Sequence, residues 1–165
     1  MSRTMIVAAL VGLFLVACKN DGLESLLLDG PELHESLVTL HVDELPLHVL
    51  RENPQLSTDA AFVEAVARGS SQGRLDSEGI RAAFYAVYRD ESGVDVGFYG
   101  LQAASTAEAG RREELLRDIW ALNTSLERAR VYRSGELLVV AWNGPVSPSC
   151  WGAVSSVVAE RLGAR

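Results

Sequence analysis

Between residues 80 and 165 the spacing of apolar side chains switches from alternation to a helical stripe, and then does so a second time. That order constrains the fold more than any other feature, because a period of two and a period of 3.6 need different backbones. Ile80 to Arg89, with Phe84, Tyr85, Val87 and Tyr88, suits a strand. Asp90-Glu91-Ser92-Gly93 makes a turn, and Val94 to Leu101 returns with Val96 and Phe98 on one side. Ser105 followed by Glu108 fits a capping box. The helix it opens carries Leu115, Ile119, Leu122 and Leu126 as an apolar stripe, with Glu113 and Arg117 paired on the wet face. Val131-Tyr132-Arg133 and Glu136 to Trp142 then flank Ser134-Gly135 as a second hairpin. Ser147-Pro148 starts a last helix whose stripe is Trp151, Val154, Val158 and Leu162, closed by Gly163.

Two hairpins separated by helices predict an α+β fold of ββαββα form, an antiparallel sheet with helices packed on one face. Leu137 to Trp142 is apolar on both sides, so this strand is expected to be central and covered twice, by the amino-terminal region or by a partner. The segment upstream is less regular. Val38, Leu40 and Val42 alternate with Thr39 and His41 as in a strand, and Pro46 and Pro54 break the chain beyond it. Ser57-Thr58-Asp59 opens a short helix through Arg68, with Gly69 as its stop. Residues 69–79 are rich in Gly and Ser and read as a mobile loop. The expected domain spans residues 31–165, irregular over 31–79 and regular over 80–165.

The amino terminus reads differently. Arg3 precedes an uncharged run from Met5 to Ala17, about 20 Å long as a helix and short of the ~30 Å needed to span a bilayer. That length suits the apolar part of an export signal. The run ends in Leu15-Val16-Ala17-Cys18, which resembles the lipobox of bacterial lipoproteins. The resemblance implies a signal peptide over residues 1–17, cleavage before Cys18, and diacylglycerol and palmitate-type acylation at that cysteine. Residues 18–30 would then be a short lipidated tether, and two or three acyl chains would hold the protein firmly to a membrane. In a host with two membranes, Lys19 after the cysteine leans towards the outer one.

Cleavage would leave 148 of the 165 residues, enough for one domain with its own core. Setting aside Arg3 leaves 14 basic against 22 acidic groups, a balance of −8. An acidic chain without a basic cluster does not suit nucleic acid, and it disfavours broad adhesion to anionic headgroups. With Cys18 lipidated, Cys150 is the one remaining cysteine, so the fold cannot rest on an intramolecular disulfide.

Several side chains invite a chemical reading. Gly69-Ser70-Ser71-Gln72-Gly73 matches G-x-S-x-G, but all three histidines lie upstream and no strand precedes it, so it reads as loop. His34, His41 and His48 recur every seven residues, which on an unbroken helix would share a metal. Pro46 argues against that helix; His41, Asp43 and His48 remain weak metal candidates and no cofactor is implied. Cys150 falls in the first turn of the last helix and is expected to pack in the core beside Trp151, with an intermolecular disulfide as the alternative. Asp90, Ser92 and Asp95 offer oxygens, but with the spacing of an ordinary turn. Alternation puts Tyr85, Tyr99 and Tyr132 on compatible faces, either packed beneath the amino-terminal segment or open as a patch for a protein or glycan partner.

No catalytic constellation is complete, so the expectation is a non-enzymatic, membrane-anchored module of the cell envelope that binds another envelope protein. The alternative is a small-ligand or metal-binding lipoprotein built on the His34, His41 and His48 segment.

Overall fold

The computed structural model describes residues 22–122 and 128–163. Residues 1–21, with Cys18 and the expected signal peptide, and Leu126 lie outside them. The fold is α+β, a six-stranded antiparallel sheet with four helices. The long central pair is β3 (Ile80–Asp90) and β4 (Asp95–Ala103). β5 (Arg128–Ser134) and β6 (Leu137–Asn143) form the second hairpin, and β6 lies beside β4, leaving β5 at one edge. At the other edge two short strands share β3: β1 (Leu37–Thr39) pairs with residues 88–90 and β2 (Gln55–Ser57) with residues 83–85.

The interval between β1 and β2 is filled by a side chain. Asn53 Oδ1 accepts the Val87 N–H at 3.0 Å, and its amide donates to Val87 O at 2.7 Å and Leu40 O at 2.9 Å. One amide thus does the work of a missing ladder residue.

Helices cover both faces, a correction to the expected single helical layer. α4 (Pro148–Leu162) packs with Leu23, Leu26, Leu28, Leu33 and Leu37 against Phe84, Tyr88, Phe98 and Val139. α2 (Ala60–Ser70) and α3 (Thr106–Ala121) pack with Leu40, Leu45 and Leu50 against Tyr85, Val87, Leu101 and Val140. The reason lies in β3, which is buried without a break from Ala82 to Tyr88. A strand apolar on both sides needs two covers, and the amino-terminal segment contributes to each.

Residues 22–30, expected as tether, belong to the fold. Leu23 and Leu26, in a 310 turn over Leu23–Leu26, are 3% and 2% exposed beneath α4. Gly30 opens the four-residue α1 (Gly30–Leu33) with Asp29 as its cap.

Local signals set the remaining boundaries with three displacements. The Ser105 cap accepts Glu108 N at 3.1 Å, and Gly163 ends α4 at φ +60°. Asp90 Oδ1 accepts from Ser92 N and Val94 N at 2.9 Å and Gly93 turns at φ +84°, so those oxygens hold the hairpin. The buried stripe of α3, however, is Ala109, Arg112, Leu116 and Ile119; Leu122 caps the helix and is 73% exposed. In β1 it is Leu37 that is buried while Val38 points outward. α2 runs past Gly69 to Ser70, because a bare Cα there lets the helix meet Tyr99; a Cβ would stand 2.9 Å from the ring.

Candidate functional site

Ser70 and Ser71 of the G-x-S-x-G match are fully buried at the end of α2. Their hydroxyls donate to Ala67 O at 2.9 and 2.8 Å, and Ser71 Oγ also accepts Leu75 N at 2.8 Å. Both serines are spent on closing the helix.

The loop after them is pinned. Arg112, 6% exposed, donates to Asp76 O at 3.1 Å and to Glu78 O, and pairs with Glu108 Oε1 at 2.6 Å. Ser77 N donates to Glu64 Oε2 at 2.9 Å. These bonds correct the expectation of a mobile loop. The Arg112 and Arg111 guanidiniums hold the Glu108 carboxyl below its usual range, and the Ser77 and Arg68 hydrogen bonds do the same for Glu64.

The tyrosines do not form one patch. Tyr85 and Tyr99 are register partners on the α2–α3 face, but Tyr132 pairs with Val139 and packs towards α4. Residue parity carries across the ladder, and Val131, not Tyr132, is in phase with Tyr85. Tyr85 is 1% exposed and burial pushes its phenol well above the usual range. Its ring lies 5.2 Å from that of Tyr99, which in turn lies 6.3 Å from both Trp120 and Trp142. Trp120 Nε1 donates to Ser70 O at 2.7 Å, so this aromatic group ties α2, α3 and the sheet together. Sequence reasoning missed it because Trp120 and Trp142 are remote in the chain from Tyr85 and Tyr99; the register of β4 with β6 brings Tyr99 and Trp142 within contact range.

The histidines part company. His41 Nδ1 sits 3.2 Å from Asp43 Oδ2 at an exposed turn, and His48 is exposed outside that pair. Among the described residues no three His, Cys, Asp or Glu side chains are grouped to hold a metal ion. His34 is half-buried, its Nδ1 2.8 Å from Ser36 Oγ. The neighbouring Ser36 side chain acts to lower the Cys150 thiol's pKa. Burial nevertheless dominates and pushes the thiol up, and Cys150 is 0% exposed. The thiol is enclosed in the core, with its proton held more tightly than in a free cysteine.

A depression of about 590 Å³ lies at the end of the sheet where the described chain starts. Gly22, Gln102, Thr106, the Ser134–Leu137 turn and the last turn of α4 line it. Ser25 Oγ donates to Gly22 O at 2.9 Å and lies 3.4 Å from Arg161 O, which sets the entering chain beside α4. No helix among the described residues is long and apolar enough to cross a membrane.

No family model, no curated protein and no solved structure matches this chain.

Proposed function

We propose that the protein is an exported lipoprotein of a bacterial cell envelope, held to a membrane through acyl chains on Cys18, whose domain binds another envelope protein and performs no chemistry. The observation that carries this reading is the uncharged run ending in Leu15-Val16-Ala17-Cys18. The disposition of the reactive side chains supports the second half. Cys150 is enclosed, Ser70 and Ser71 are turned inward on the backbone, and His41 stands at an exposed turn with Asp43. Lys19 after the cysteine favours the outer membrane of a host that has two.

Replacing Cys18 by Ser tests the anchor. The wild-type protein takes up labelled palmitate and sediments with membranes, whereas Cys18→Ser takes up none and is released. A variant that stays with membranes, beside a wild type that never carried label, removes the basis for the proposal.

A further inference from the structure

Granted that anchor, we infer that the domain stands end-on, with the β5–β6 turn and the carboxyl end of α4 against the phospholipid headgroups and the β3–β4 turn pointing away. The argument is one of reach. Four residue steps separate Cys18 from Gly22, so the link is at most about 14 Å long. β3 takes ten steps from Ile80 to Asp90, about 33 Å along the molecule. Gly22 lies at the Ile80 end, sharing one depression with Gly135, Glu136, Arg161 and Gly163 and another with Ala82 and Gln102. The link is too short to let the far turn take its place.

Charge selects the same pose over one lying flat. At the near end Arg81 is 3.6 Å from Glu136 and Arg161 follows Glu160, so these charges offset one another and Glu24 leaves a smaller acidic excess than at the far turn. At the far end Asp90, Glu91 and Asp95 gather with Asp43 and Glu44, the last 3.2 Å from Arg89. Among the described side chains, five carboxylates stand there against Arg89, and their excess is repelled by anionic headgroups across a Debye length of about 8 Å. Lipid holds one end down while charge keeps the other up.

The pose rests on the lipid-anchor reading, and one experiment separates the two. Thr106→Cys, Arg161→Cys and Glu91→Cys variants of the full lipidated protein each take a single fluorophore, since Cys18 is blocked and Cys150 is buried. They are incorporated into phosphatidylethanolamine–phosphatidylglycerol vesicles bearing a nitroxide on a fraction of the headgroups. Probes at 106 and 161 are expected to be quenched several-fold more than the probe at 91. Equal quenching at 91 in protein that floats with the vesicles overturns the orientation alone. Protein that does not float overturns the anchor, and the orientation with it. A variant that loses its circular dichroism is replaced by Ala107→Cys near the membrane or Ser92→Cys away from it, with the same two outcomes.

Discussion

Arg112 stands at a core position of α3, between Ala109 and Leu116, and is buried nearly as fully as these apolar neighbours. A guanidinium there is tolerable only because each edge of its fork finds an oxygen: Glu108 on its own helix, and Asp76 O and Glu78 O on the loop it holds. Removing it leaves the Glu108 carboxylate with only the exposed Arg111 and frees two loop carbonyls, so Arg112→Ala is expected to lower stability by about 3 kcal/mol, read as a shift in the denaturant midpoint. Arg112→Lys keeps the charge without the fork and recovers only part of that loss. Asn53 does comparable work at the sheet edge, where it stands in for a strand residue opposite Val87. Neither residue was legible in the sequence. A charged side chain in a helix is read as a wet one, and an asparagine before a proline as a turn, until the partner segments are known.

The elements that were legible are those whose signals are local. The strands β3 to β6 and α4 follow from alternation, turn glycines and caps that involve only their own neighbours. What stayed hidden were the phases set by partners. The α3 stripe keeps Ile119 of the expected set but takes Leu116 in place of Leu115 and leaves Leu122 exposed, with the Trp120–Ser70 hydrogen bond and the Arg112 anchor fixing the helix about its axis. Tyr132 falls on the face opposite to the expected one because the register of two hairpins cannot be counted across a connection of unknown geometry. Of the candidate site, the burial of Cys150, the turn role of Asp90 and the packing of Tyr85 beneath the amino-terminal segment were legible. The sheet carries a further constraint at Gly97, which faces Trp142 on β6; a Cβ there would overlap the indole. Gly97→Ala is therefore expected to cost about 1–3 kcal/mol by overpacking, and to alter the near-ultraviolet dichroism of Trp142.

At the scale of the whole molecule, stability should depend on acidity. Arg117, and with it Arg133, holds the Glu113 carboxyl below its usual range, as Arg112 does Glu108 and Ser77 does Glu64. Groups depressed in the folded state lend stability that is complete above the unfolded value, near about 4.3 for glutamate, and is lost as pH falls through the folded values. The unfolding midpoint is expected to be flat near neutrality and to drop steeply in acid, with Glu108→Gln and Glu113→Gln each flattening that drop. A midpoint that rises in acid would contradict this pairing. The amino-terminal turn has a mechanical consequence. Because Leu23 and Leu26 are wedged beneath α4, a tug applied at Gly22 does not stretch a slack leash. It loads the hydrophobic interior directly, and the first part of the fold to yield under tension would be that wedge, peeling α4 from the sheet before any strand gives way.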